Sequence, residues 1–395
     1  MGRILDAVRR SPRVAGGVAA GAILLGAMTA VVIGAVGQRA PAATAPTATP
    51  SPSATSADTP IPQPTHTATP TQSPSPSPTP TPEVAGTCPL DGMPLADARE
   101  LVLPALAVQV ENHPAARPAR NLSRADMVVE TTVEGDTTRF TGIFLCDGTA
   151  GMTGPIRSAR YYNIDLWQDL RVLTVGFGRS DGAHARFVAA GMPYPDGMTG
   201  WPWYQRWGPR AAPHNLYVDL EALREALATN AALAQMAARV DELRPPFSFD
   251  PEAELPPEAR SVREVRIATT PSWRFGWTWD ADAGDWLRSD AGQPIVDEAS
   301  GERLAFRTLL VQRVTQETVH DDPDPGGHPR RLHHLVGRGE GTVYVDGRAF
   351  DLRWERQSPA DGTRWTHATS GEPIILPPGP IWWHILPTES RVSEH

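Results

Sequence analysis

Residues 105–111 read ALAVQVE, residues 127–134 MVVETTVE and residues 140–145 FTGIFL. Each run has strand length, is rich in β-branched or aromatic side chains, and ends at Pro, Gly, Asn or Asp. Residues 171–177 (RVLTVGF) supply a fourth strand. Helical spacing appears between and after them. Residues 158–170 place Tyr161, Ile164 and Trp167 on one stripe, residues 183–190 form a short helix, and residues 219–240 carry Leu220, Leu223, Leu227 and Leu233 behind Asp219 as N-cap. The first half is thus expected to be mixed α/β. Beyond the proline-punctuated join at 245–257 the pattern changes to short strands at 262–268, 275–279 and 308–314, then a hairpin over 342–354 turning at Asp346-Gly347. An α+β fold follows, with an α/β domain over residues 88–245 and a β-rich domain over 246–395.

The 395 residues carry a formal charge of -9, and all 36 basic residues are Arg. Nucleic-acid binders are normally basic, so a nucleic-acid partner is excluded from the reading. Residues 14–38 hold no charge and are apolar enough to cross a hydrocarbon core of about 30 Å as a helix. Arg3, Arg9, Arg10 and Arg13 precede that run against Asp6 alone, so residues 1–13 are expected in the cytoplasm and everything after the anchor outside. A cleavable signal peptide is the rival reading, because Ala40-Pro41-Ala42 offers small residues, but the run exceeds the usual apolar core of such segments. Residues 39–87 are dominated by Pro, Thr and Ser and read as a disordered linker. The remainder, 88–395, has 31 Arg against 42 Asp and Glu, a formal charge of -11. It contains both cysteines, Cys88 and Cys146, and an external even pair is expected as a disulfide, with two buried thiols as the alternative.

Four motifs resemble one family. They are Val110-Glu111-Asn112-His113-Pro114 with Arg117-Pro118, Ala125 to Glu130 continuing to Glu134-Gly135 and Thr138-Arg139, Gly154-Pro155-Ile156-Arg157-Ser158-Ala159-Arg160, and Ala212-Pro213-His214-Asn215-Leu216-Tyr217. In that order they resemble the YerB-like lipoprotein family, over about residues 88–387. The resemblance implies a bacterial extracytoplasmic protein with two family domains and no established activity. Lipoprotein relatives carry a Cys directly after a short signal peptide. Here the first Cys is Cys88, beyond the linker, so lipid attachment is not implied.

The motif residues combine opposite charges, and Glu111, Asn112, His113, Arg117, Glu130, Glu134, Arg139, Arg157, Ser158, Arg160, His214 and Asn215 form the candidate binding cleft. Trp203, Tyr204 and Trp207 are its candidate aromatic wall. Glu130 and Glu134 differ by an even number, so a regular strand over 127–134 puts both on one face about 13 Å apart, beyond the reach of a glycosidase carboxylate pair. Catalysis by carboxylates would then need Glu111. Gly154-Pro155 ahead of Arg157 and Arg160 reads as a helix start able to receive an anion. Internal pairing of these arginines with the carboxylates is the alternative. Gly178-Arg179-Ser180-Asp181-Gly182 matches a nucleophile-elbow pattern, for which Asp219 or Glu221 and His320 could complete a triad. Ser180 as a plain helix cap explains the same letters. His320, Asp321, Asp322, Asp324, His328, His333 and His334 match no defined metal spacing and read as a solvated loop.

No cofactor and no metal are expected. The chain reads as a membrane-anchored external recognition module, more a binder than an enzyme, whose partner is an envelope polymer or envelope protein. An enzyme of envelope glycans using Glu111, Glu130 or Glu134 is the first alternative and a Ser180 hydrolase the second.

Overall fold

The computed structural model describes residues 86–95, 101–146 and 150–395. The expected anchor at 14–38 and residues 39–85 of the expected linker lie outside them. Among the described residues no helix is long and apolar enough to cross a membrane. All of them fall in one compact unit.

The opening strands form as expected: β1 (Leu106–Glu111), β2 (Met127–Thr132) and β3 (Thr138–Phe144). They pair antiparallel, with β3 between the other two. β2 stops at Thr132 because the backbone turns at Gly135 (φ 71°) and Asp136 (φ 56°), so Glu134 belongs to a turn and not to a strand. β1 pairs parallel with the short strand Leu173–Val175.

On its other side β2 pairs parallel with Ile381–Pro387, which in turn pairs parallel with Thr308–Val314. The hairpin Gly337–Val345 and Arg348–Arg356 and then Arg364–His367 continue the sheet. One ten-stranded sheet thus draws strands from both sides of the join at 245–257. The strand Ile381–Pro387 reads IWWHILP and is buried along its whole length, as a central strand covered on both faces requires. Its neighbouring tryptophans point to opposite faces by the two-residue repeat of a strand. Trp382 joins one core with Val108, Val128 and Phe140, and Trp383 joins the other with Ala107, Met127 and Val129.

Two layers cover the Trp382 face. One is a smaller six-stranded sheet containing Glu264–Ala268, Arg274–Asp280 and Asp285–Asp290. The other is the helix pair Leu220–Thr229 and Ala231–Ala237. Residues 219–240 therefore break once, at Asn230, whose side chain caps the second helix, while Asp219 caps the first as expected. The opposite face is covered by α1 (Tyr162–Leu170) through Tyr162, Leu166 and Leu170. α2 (Asp181–Ala190) packs on a small third cluster with Tyr161, Phe187 and Met192.

Cys88 and Cys146 are bonded to each other across 58 residues of sequence, and Asp126 receives the backbone N–H groups of Leu145 and Cys146 at 2.6 and 3.1 Å. The bridge ties the described N-terminal segment to the end of β3. Reduction is expected to lower stability by about 4 kcal/mol on the chain-entropy argument, read as a fall in denaturant midpoint that a Cys88→Ser, Cys146→Ser double variant no longer shows.

Candidate functional site

The motif residues gather around the C-terminal end of β1 and divide into three clusters. The first is sealed. Glu130 has no exposure, and it accepts from Thr138 Oγ1 at 2.7 Å, Trp382 Nε1 at 3.0 Å, Arg288 Nη2 at 3.0 Å and Asn112 Nδ2 at 3.5 Å, with His384 Nδ1 3.4 Å away. Burial pushes its pKa up, and the charge of Arg288 with the bonds from Thr138 and Trp382 pull against that rise. Arg288 lies among the rings of Phe275, Trp277 and Trp382, with 4.0, 5.0 and 5.3 Å to their centroids. Asn112 donates to Thr138 Oγ1 at 2.7 Å and accepts from Arg117 Nε at 2.9 Å. Arg117 also pairs with Asp290 and stacks on Trp273. Asn112, Arg117 and Glu130 thus bind the motif region to the smaller sheet.

The second cluster is centred on Glu134, which pairs with Arg160 and with Arg330 Nη1 at 2.7 Å. Burial works upward on its carboxyl, but Arg160, Arg139 and Arg330 outweigh it and hold the pKa at about 2. Arg139 donates to Ser158 O at 3.0 Å. Burial and the like charge of Arg160 bring the Arg139 pKa down to about 10. Ser158 donates its hydroxyl to Phe177 O at 3.0 Å. Glu130 and Glu134 share no partner, so the expectation of two carboxylates on one strand face is corrected by the turn at Gly135.

The third cluster is half open. Glu111 is 3% exposed and bonds Arg157 Nε at 3.2 Å and His214 Nδ1 at 3.1 Å. The side chains of Arg157 and His214 remain 32% and 21% exposed. His214 stacks on His113 with 4.9 Å between ring centroids. The Nδ1 of His113 accepts from Ala115 N at 3.1 Å, which leaves its Nε2–H as a donor towards solvent. Among the described residues the two Nη groups of Arg157 make no hydrogen bond.

Residues 154–161 are not the expected helix start. Arg157 is extended, its N–H bonded to Gln109 O and its carbonyl accepting from Phe177 N, and α1 begins only at Tyr162. The N–H of Arg160 goes to Asn163 Oδ1 at 2.6 Å. The backbone amides that would have received an anion are therefore used internally, and only the guanidinium of Arg157 faces outward.

Ser180 is a helix cap. Its hydroxyl accepts from Ala183 N at 3.2 Å and donates to Asp322, its backbone is ordinarily extended at φ −77° and ψ 165°, and among the described residues no histidine bonds it. Asp219 is likewise engaged as a cap. These contacts replace the triad geometry that a Ser180 hydrolase requires. The His and Asp residues of 320–334 do not converge either: His328 bonds Asp324, His334 bonds Glu317, and buried His333 contacts Thr131 and Thr132 at 3.0 Å each. Among the described residues one group has metal-ligating atoms within mutual reach, Cys88, Asp126 and Cys146, and its two sulfurs are spent on the disulfide.

The aromatic wall is also revised. Trp203 is 6% exposed and stacks on Trp201 as part of the core, and burial pushes the Tyr204 phenol far above its ordinary pKa. Trp207 is 42% exposed. Asn215 accepts from Arg206 Nη1 at 2.8 Å at the surface. An apolar cleft of about 640 Å³ between Leu101–Ala105 and Ala234–Pro245, and another of about 530 Å³ bordered by Arg338, Arg353 and Arg364, do not touch the motif residues. Arg288, Arg330 and Trp382 escape sequence reading because each acts on a carboxylate from far along the chain.

The family model described as the N-terminal domain of a protein of unknown function, DUF3048, matches residues 90–233, and that of the DUF3048 C-terminal domain matches residues 264–383. "Putative lipoprotein YerB" of Bacillus subtilis (strain 168) is 26% identical over 290 residues, covering 73% of this chain and 82% of that protein. The crystal structure of YerB from Bacillus subtilis superposes with a TM-score of 0.64 at 24% identity, covering 78% of this chain and 99% of that one.

Proposed function

The chain belongs to the DUF3048 family, both of whose domains it carries in order, and from that premise we propose that it is an extracytoplasmic recognition module of the bacterial envelope. It receives an anionic group of an envelope component at Glu111, Arg157, His214 and His113. One observation carries the reading: of the motif arginines, Arg139 and Arg160 are buried and held by backbone carbonyls or Glu134, and Arg117 pairs with Asp290, whereas Arg157 is a third exposed with both Nη groups open. A guanidinium fork with free N–H groups is a receptor for carboxylate or phosphate. It lies in an external part whose formal charge is -11, so the local cation is set against its surroundings. The relative's name places that protein among lipoproteins. This chain has two cysteines and both are in the disulfide, which supports the apolar run at 14–38 as the anchor.

The carboxylate arrangement supports binding over catalysis. Glu130 is sealed, Glu134 is kept ionised by three arginines, and Glu111 alone borders the open cluster. In sedimentation with isolated cell envelopes the full-length protein is expected to bind and to release no soluble fragments. Arg157→Ala is expected to weaken binding about tenfold, the scale of one charge-assisted contact. Fragment release that disappears in Glu111→Gln would establish the enzyme reading instead.

A further inference from the structure

Next to the open cluster lies a surface band that the anion-receiving role does not explain. Among the large apolar side chains exposed in the described residues, Trp207 is the one tryptophan. Its backbone N–H bonds Asn215 O at 2.8 Å, which sets it across a hairpin from the residue beside His214. One face of its indole carries the Arg120 guanidinium, 4.8 Å from the ring centroid, and Tyr217 meets it edge-on at 5.3 Å. Arg120 has no ion pair among the described residues, and its Nε is buried without a hydrogen-bond partner. Arg206 bonds the neutral Asn215 and no carboxylate.

The band therefore combines three arginines with unused N–H capacity, Arg120, Arg157 and Arg206, two stacked imidazoles, and one partly exposed flat ring on which Arg120 already stacks. A bare anion would use the cations and leave the ring idle. A neutral sugar would use the ring and leave the open N–H groups of Arg120, Arg157 and Arg206 without an anionic partner. A pyranose that carries a carboxylate or phosphate satisfies both, its C–H face on the indole and its anionic group in the Arg forks. We propose that the ligand of this site is an anionic glycan, with Trp207 as the stacking platform. This rests on the anion-receiving role of Arg157 set out above.

The test is calorimetric titration of the full-length protein in detergent with four probes: tetragalacturonate, a phosphate-bearing maltotetraose, neutral cellotetraose and inorganic tripolyphosphate. One of the two anionic sugars is expected to bind at least about tenfold tighter than both controls, and which of them does so identifies the anion. Trp207→Ala is expected to lower that affinity about tenfold and Trp207→Phe to restore most of it, with thermal midpoints unchanged. Equal binding of tripolyphosphate and of the sugars, unaffected by Trp207→Ala, would overturn the glycan assignment and leave anion recognition standing. Failure of every anionic probe to bind would remove both.

Discussion

Arg288→Ala is expected to destabilise the protein by about 3 to 5 kcal/mol, the range for removing one member of a buried ion pair. The carboxylate left behind, Glu130, has no exposure and cannot reach water. Thr138, Trp382 and Asn112 would remain as donors, but none of them carries the compensating charge. The loss extends to packing, because the guanidinium fills the space among Phe275, Trp277 and Trp382. The pair also joins β2 to the strand Asp285–Asp290 of the smaller sheet, so its loss loosens the contact between two layers. Adding Glu130→Gln to Arg288→Ala should recover part of the loss by discharging the stranded group. Urea midpoints of the parent, both single variants and the double variant measure the coupling. A cost below about 1 kcal/mol for Arg288→Ala would mean that Glu130 is not ionised in the folded state.

The second large effect depends on pH. Glu134 has its carboxyl lowered from 4.5 to about 2 in the fold, burial being outweighed by Arg160 with Arg139 and Arg330. A depressed folded pKa means the stabilisation is present above pH 4.5 and is lost as the pH falls towards about 2. The shift corresponds to about 3 kcal/mol, and at 9% exposure solvent screening takes little from it. Glu134→Gln should accordingly be most destabilising at neutral pH, where it leaves three arginines facing one another, and its deficit relative to the parent should shrink by about 3 kcal/mol between pH 5 and pH 2. A deficit constant across that range would show that Glu134 contributes by shape and not by charge.

Much of the architecture is legible in the chain because local pattern decides it. The run Thr308–Val314 forms its strand whole, and Asp346 and Gly347 turn the hairpin with φ of 52° and 65°, the conformation that an Asp-Gly pair readily adopts. Errors arise where a single residue redirects the backbone. Gly135 ends β2 early and sends Glu134 to Arg160. Asn230 breaks residues 219–240 into two helices by capping the second. The site is legible as a set of residues but not as a division of labour. Glu111, Glu130 and Glu134 look equivalent in sequence, and what separates them is supplied by Arg157, Arg288 and Arg330, at separations no local pattern reports. The tryptophans behave alike: Trp203 and Trp207 stand four residues apart, and long-range packing alone buries one and exposes the other.

Arg139, Arg160 and Arg288 hold the fold together, whereas Arg157 is proposed to face a ligand. The measurement that tests this difference is a pairing of thermal midpoint with envelope binding for Arg157→Ala beside Arg288→Ala, both in the full-length protein. Arg157→Ala is predicted to keep the parent's midpoint within about 2 °C, as expected of a partly exposed pair, while losing binding. Arg288→Ala is predicted to lose stability and to bind normally for the fraction that remains folded. An Arg157→Ala protein that melts as early as Arg288→Ala and binds undiminished per folded molecule would contradict the account, because Arg157 would then be one more internal partner of Glu111.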